Sequence, residues 1–587
     1  MILQALVRYY EDLTKQGKIA RPGWAKSKIN YALCINERGE LEQVIPLLED
    51  TGGKKPQPQQ FDLPAVVKRA SNIASNFLWD NSGYLLGVDA KGKPERSRDC
   101  FEACKQLHHQ LLDGVDSTAA QSVLAFLDSW EPSKAREHPA LQTDYDAITS
   151  GGNLLFRVNG VFAQEDEAIR RAWQAHYDQS KGERQQCLVT GKLAPIARLH
   201  PAIKGVDGAQ TSGGNIVAFN KDNPATCSFG KTQSYNAPVS EYAAFAYTAA
   251  LNHLLADREN VQKIGDTTVV CWAEGAEPQY QAFTFAALFG KTQETLSEGD
   301  VRDAVKKLAN GQRVPELDLK PNQLFYILGL SPNAARLSVR FFYQGSFGDL
   351  MKNINAHHER MEIVRPSFDK YETIPIWAML RETVKPPPKG KSWPEASPVL
   401  AGATARAIFT GGLYPAALLE QTMMRIRAER EISRGKAAII KAYYLRKHED
   451  LSVISVLEGA MEERLNESCA YLPYLLGRLF AVMEKIQIDS VGGKENINRT
   501  IKDSYFVSAA STPASIFNKL FPLNEYHMNK LKRDNPGLGV VRTKEKEGII
   551  NGINEMIPSR FTAEESNAFY IGYYHQTQSF YEKKEEK

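Results

Sequence analysis

The segment from Cys187 to Ser240 concentrates residue types that could do chemistry. It holds Cys187, His200 and Cys227 among Gly, Ser, Thr, Asn and Gln, with almost no acid. Thiolates and imidazole bind zinc, but a structural zinc site needs four ligands, usually as two close pairs such as C-x-x-C. Here twelve residues separate Cys187 from His200, and twenty-six separate His200 from Cys227. The segment contains neither C-x-x-C nor H-x-x-x-H. Cys100 and Cys104 fall on a predicted helix without a second pair beside them. The expectation is therefore buried thiols and a loop histidine, with no metal and no cofactor.

Other chemistries are weaker still. Gly230-Lys231-Thr232 and Gly290-Lys291-Thr292 each end an FGKT run but lack the first glycine of a phosphate loop. No nucleophile elbow occurs. The adjacent pairs His108-His109 and His357-His358 point to different faces of a helix and suit a shared ion poorly. The chain therefore reads as a protein without a catalytic set. Two competing readings are a metal-dependent nuclease around Cys187, His200 and Cys227, and an RNA-binding assembly factor.

Nucleic-acid contact fits the residues better. Glycine admits close backbone approach, and Asn, Gln, Thr and Lys reach bases or phosphates. The loop-rich segment supplies Gly213, Gly214, Asn215, Lys231, Thr232, Gln233 and Asn236 as candidates. Nearer the N-terminus, Arg21, Lys26, Lys28, Lys54, Lys55, Lys68 and Arg69 stand beside a polar run, 71–76, that offers Asn72 and Asn76. Between Arg425 and Lys447, eight basic residues meet only Glu429 and Glu431, a net charge of +6. Such a run is usually one solvated helical face. Its imbalance favours phosphate contact through Arg425, Arg427, Arg430 and Arg434. The patch Lys530, Lys532, Arg533, Arg542, Lys544 and Lys546 is diluted by Asp534, Glu545 and Glu547 and reads as solvated surface.

The elements that must position these residues follow from periodicity. At 587 residues the chain exceeds one core and predicts several domains. Its formal net charge is only +3, so a nucleic-acid partner would be held by local patches. Seven scattered cysteines fit a reducing compartment. The first residues lack the apolar core of a signal peptide, and no apolar run is long enough to span a membrane, so a soluble cytoplasmic protein is expected. Helices are predicted at 2–13, 100–112, 119–130 and 241–256. Strands are predicted at 31–35, 41–48, 153–158, 267–273 and 337–343, with two more within 77–88. Residues 51–60 read as a loop. The Pro/Lys stretch 385–397 is the best boundary, separating an α+β domain, 1–384, from an all-helical bundle, 398–587. The bundle helices are predicted near 399–410, 415–432, 435–447, 453–465, 470–488, 495–511, 513–533, 544–555 and 562–582.

Several long motifs carry a resemblance. They are ILQALVRYYEDL and IARPGW near the start, FLWDNSGYLLG at 77–87, and CLVTGK, IARLHPAIKGV and SYNAPVSEYAAFAY within 187–247. The C-terminal half adds ARAIFTGGLYPAALLEQTMMRIRAER at 405–430, PYLLGRLFAVMEKIQ at 473–487, YFVSAASTPASIFNKL at 505–520 and NAFYIGYYHQTQSFY at 567–581. With these the chain resembles, over nearly its whole length, the large subunit of the type I-C CRISPR surveillance complex, Cascade. The resemblance implies a non-enzymatic role beside CRISPR RNA, backbone subunits, small subunits and the subunit holding the RNA 5′ end. The N-terminal domain would read the short motif flanking the target (the PAM) in double-stranded DNA and start strand opening. The helical bundle would lie along the displaced strand and help recruit a helicase–nuclease. Sequence itself would be read by RNA–DNA pairing. The resemblance also implies a small subunit translated from within the same gene. Met461 is the preferred start for a product spanning 461–587, because Met483 would cut a predicted helix.

Overall fold

A computed structural model describes residues 1–49, 56–67, 73–179, 182–220, 230–258, 261–290, 296–449 and 457–582. The chain is α+β, and beyond residue 397 its described elements are helices. It divides into two compact units, one of residues 3–201 with 218–250, the other of 202–217 with 251–587. The boundary expected at 385–397 does not coincide with this division. Residues 385–397 lie inside the second unit, where one apolar core runs from Ile264 to Tyr574.

The first unit is built on a mixed sheet. Its strands run in the order Leu41–Pro46, Tyr31–Ile35, Asn153–Val158, Trp79–Asn81, and Val161–Phe162 pairs with Asn153–Val158. Tyr31–Ile35 and Asn153–Val158 are parallel; the other pairs are antiparallel. The helices Pro94–Leu112, Thr118–Ser129 and Glu167–Asp178 contribute Phe101, Val123, Phe126 and Trp173 to the core beside this sheet. A second sheet joins Trp24–Ile29 to Gln57–Pro64, and Leu48–Glu49 to the far edge. Gln57–Pro64 corrects the loop expected at 51–60 over residues 57–60, while 51–55 lie outside the described residues. Its Gln and Pro content hides a strand whose partner supplies the order. Residues 77–88 hold one short strand and then a helical turn, Ser82–Leu85, where two strands were expected. The side chain of Asn81 accepts a hydrogen bond from the Gly83 N–H and so starts that turn.

His108 shows why adjacent histidines need not share a ligand. It is fully buried, its Nδ1 lies 2.8 Å from the Cys104 carbonyl, and its Nε2 accepts from the Leu78 N–H at 2.9 Å. That pattern needs the neutral ring, and burial holds its pKa down at about 4. His109 lies on the exposed side between Asp113 and Asp128.

The second unit carries a four-stranded antiparallel sheet in chain order: Gln262–Ile264, Thr267–Ala273, Leu324–Asn333 and Arg336–Ser346. Thr267–Ala273 is buried at every position, which is why its sequence runs apolar without alternation. The helix Pro398–Thr410 packs on this sheet, so the bundle grows directly from it. The remaining bundle helices are Ala416–Glu429, Arg434–Glu449, Leu472–Ser490, Ile501–Ala509, Pro513–Asp534, Pro536–Ile550 and Ala563–Ser579. The helix expected at 453–465 is absent from its described part, 457–465, where Glu458–Ala460 forms only a 3-10 turn.

Two glycines let the central pair of helices touch. A Cβ on Gly477 would lie 2.0 Å from the Phe569 carbonyl oxygen, and one on Gly572 would lie 2.2 Å from that of Tyr474. No rotamer relieves a clash with backbone. Gly477→Ala and Gly572→Ala are therefore each expected to destabilise the second unit by about 3 kcal/mol or more. Gly548, exposed on Pro536–Ile550 with open space around it, is the control, and Gly548→Ala should be neutral or stabilising by up to about 1 kcal/mol. Urea denaturation of the three variants checks this.

Candidate nucleic-acid interface

The first unit presents Lys26 and Lys28 on the edge strand of its small three-stranded sheet. Trp24–Ile29 buries Trp24 and Ile29 at its ends and exposes Lys26 and Lys28 between them. Side chains two apart on a strand share a face. In register, Lys26 stands opposite Asp62, and Lys28 opposite Gln60, both exposed on Gln57–Pro64. Beside the sheet opens a polar cleft of about 400 Å³ lined by Arg21, Trp24, Gln60, Asp62, Gln164 and Arg170. The Arg170 guanidinium sits over the Trp24 ring at 5.3 Å. The sequence reading missed this cleft, because Arg170 lies on a helix remote in sequence from Arg21 and Gln60.

The Cys187 turn is self-contained. Cys187 is fully buried, and its Sγ accepts from the Ser240 N–H at 3.2 Å and the Thr190 N–H at 3.4 Å. Burial raises the thiol pKa, but the hydrogen bonds from Ser240 and Thr190 outweigh it and bring it down to about 7. His200 turns instead to the Tyr247 hydroxyl, 2.7 Å from its Nδ1. Cys227 lies outside the described residues. Among the described residues, no group of three or more His, Cys, Asp or Glu could hold a metal ion.

The loop candidates separate into different roles. Lys231 and Thr232 are exposed, and Lys231 Nζ reaches Gln185 Oε1 at 3.5 Å. Gln233 is buried with φ of 50°, and its Oε1 accepts from Arg198 at 2.5 Å. Asn236 Nδ2 donates to the carbonyls of Gln233 and Lys231 at 2.9 and 3.1 Å. Gln233 and Asn236, expected to read DNA, instead hold the turn that displays Lys231 and Thr232. Gly213, Gly214 and Asn215 belong to the second unit. Gly213 has φ of 93°, and a Cβ there would lie 2.6 Å from the Ile203 carbonyl oxygen. Gly214 exchanges backbone hydrogen bonds with Ile203, and the Asn215 carbonyl accepts from the Leu337 N–H. These three residues extend a ladder rather than forming a docking loop. Asn76 is another correction. It is buried, its Oδ1 accepts from the Val67 N–H, and its own N–H donates to Asp80. Asn72 lies outside the described residues.

The +6 run corrects the phosphate expectation for most of its members. Arg434–Glu449 is sunk in the core, with Ala437 to Ile440 fully buried. Its cations therefore anchor neighbouring chain. Arg434 donates to Asp369 at 3.0 Å and to the carbonyls of Tyr371 and Glu372, each at 2.6 Å. Lys441 donates to the Glu362 carbonyl at 2.6 Å, and burial pulls its pKa down. Arg425 and Lys436 both pair with Glu429. Arg427 and Arg430 are the exposed arginines of the candidate four; Arg430 also donates to the Asp503 carbonyl.

The family model described as CRISPR-associated protein (Cas_Csd1) matches residues 6–581, so the chain belongs to that family. No curated protein matches it. Among the described residues, no helix is long and apolar enough to cross a membrane.

Arg434 and Arg427 make opposite predictions. Arg434→Ala leaves Asp369 and two carbonyls without their donor and should cost about 3 kcal/mol or more of stability. Arg427→Ala should change it by less than about 0.5 kcal/mol. Chemical denaturation of both variants checks the assignment.

Proposed function

We propose that this chain is the non-catalytic large subunit of a type I-C CRISPR RNA-guided surveillance complex. In this reading it recognises the PAM in double-stranded DNA, promotes strand opening and R-loop formation, stabilises the displaced strand and helps recruit the helicase–nuclease. Its partners are the backbone subunits, the subunit holding the RNA 5′ end, and small subunits. The observation that carries the reading is the family match from residue 6 to residue 581, together with the long motifs that resemble the type I-C large subunit. The first unit is the part we assign to the flanking duplex. In support, Lys26 and Lys28 share an exposed strand face, and Lys231 and Thr232 stand exposed on a turn fixed from behind by Gln233 and Asn236. Exposed donors on rigid backbone suit phosphate and groove contact. Arg427 and Arg430 are the residues of the second unit that keep a phosphate role.

Met461 is retained as the internal start. A product spanning 461–587 would keep both Gly477 and Gly572, and so the whole helix crossing, whereas Met483 lies inside Leu472–Ser490 and would remove Gly477.

Two measurements test these assignments. In the assembled complex, replacing Lys26 and Lys28 by Ala should weaken duplex binding across sequences and lower the salt slope by about 1.8. An unchanged slope removes the edge strand from the interface. Silent changes to the initiation signal ahead of Met461 should abolish the short product while the full chain persists; undiminished short product rejects Met461.

A further inference from the structure

The second unit holds an aromatic and basic surface that no assignment above uses. Arg381 is exposed on the short helix Ile376–Arg381, and its guanidinium lies over two indoles, Trp377 at 4.4 Å and Trp393 at 5.6 Å. Tyr371 meets Trp377 edge-on, with ring centroids 5.7 Å apart. Trp377 is held from below by its indole N–H, which donates to the Phe289 carbonyl. Trp393 is 40% exposed and Tyr371 42%. A cavity of about 200 Å³ opens between Trp377, Arg381 and Trp393, with Lys263 and Glu395 on its wall.

The strap that brings Trp393 here is the Pro/Lys stretch. Lys263 fixes its end by pairing with Glu395 at 2.6 Å and with Asp207 at 2.7 Å. Lys385, Lys389 and Lys391 are exposed along it, and among the described residues none of them makes an ion pair. Three acids of this part of the chain are paired or shielded. Asp369 holds Arg434, Glu395 holds Lys263, and Glu382 is shielded enough that its carboxyl pKa is raised by desolvation. Exposed cations therefore lead along the strap to Trp393, whose indole is partly exposed beside Arg381. That combination recognises a polyanion bearing flat rings: bases stack on indole and guanidinium planes while lysines track the backbone. A single strand supplies both along one backbone, a flat ring and a negative charge at every nucleotide.

We propose that Trp393, Arg381 and Trp377 form a stacking site for an unpaired base of single-stranded nucleic acid, with Lys385, Lys389 and Lys391 contacting its phosphates. The site rests on the reading that this chain acts on nucleic acid. Trp393 is the variable element because it closes the stack from the exposed strap, while Trp377 is anchored in the fold.

The test uses the purified full-length chain and an unstructured single-stranded DNA carrying 2-aminopurine, with RNA of the same sequence and the matching duplex beside it. Binding of the single strand should quench the probe. Trp393→Ala should weaken that binding about tenfold and remove the quenching, Trp393→Phe should restore most of both, and duplex affinity should change less than about twofold. The tighter of the DNA and RNA arms identifies the strand. Equal single-strand affinity for Trp393→Ala and the native chain overturns the site. An equal loss on duplex and single strand overturns it too, as does lost assembly of the complex with single-strand affinity intact, which would make this a protein contact. Dependence of the assembled complex on the flanking motif is measured in the same variants. Its absence from the native complex would sink the family-based reading, whereas its persistence beside an inert Trp393→Ala sinks the stacking site alone.

Discussion

The crossing of Leu472–Ser490 on Ala563–Ser579 is the contact on which the second unit depends. Gly477 and Gly572 bring backbone against backbone, and at that distance the flanking side chains meet in pairs. The Tyr474 hydroxyl lies 3.0 Å from His575 Nδ1, and Arg478 donates to Gln576 at 3.1 Å. Glu484 is buried and accepts from the Tyr573 hydroxyl at 2.6 Å and the Thr500 hydroxyl at 2.8 Å. A buried carboxyl group is tolerable only when it is hydrogen-bonded, and here a tyrosine of the facing helix and a capping threonine each donate to one of its oxygens. Ala563–Ser579 also reaches outward. Asn567 donates to the Tyr444 hydroxyl and Tyr574 to the Val364 carbonyl, so the bundle and the residues that lead into it share one core.

How far the sequence reveals this depends on how much of each signal is local. Tyr31–Ile35, Asn153–Val158 and Thr267–Ala273 were legible because short runs of β-branched and apolar residues end at turn residues. Leu324–Asn333 was not. Its apolar run is ambiguous between strand and buried helix until Thr267–Ala273 and Arg336–Ser346 flank it. Gly477 and Gly572 stand inside the motifs at 473–487 and 567–581, yet their purpose needs the partner helix.

The candidate site shows the same limit more sharply. An Asn that caps or braces a turn and an Asn that reads a base are identical in sequence. Asn76, Gln233 and Asn236 turned out to brace. The basic run failed for a related reason: charge counting treats a cation facing solvent and one facing a carbonyl alike, and Arg434 and Lys441 face carbonyls. Lys26, Lys28, Lys231 and Thr232 are exposed because strand alternation or a braced turn leaves them outside. The Cys187 thiol accepts from a backbone donor and the His200 imidazole meets a tyrosine hydroxyl, neither of which is visible in residue type or spacing.

The central claim is that the first unit of this CRISPR-associated chain touches the duplex that flanks the target. Photocrosslinking from the flanking base pairs in the assembled complex tests it most directly. The account predicts adducts on peptides containing 24–29 and 231–236. Adducts confined to the second unit, or to another subunit, would contradict it.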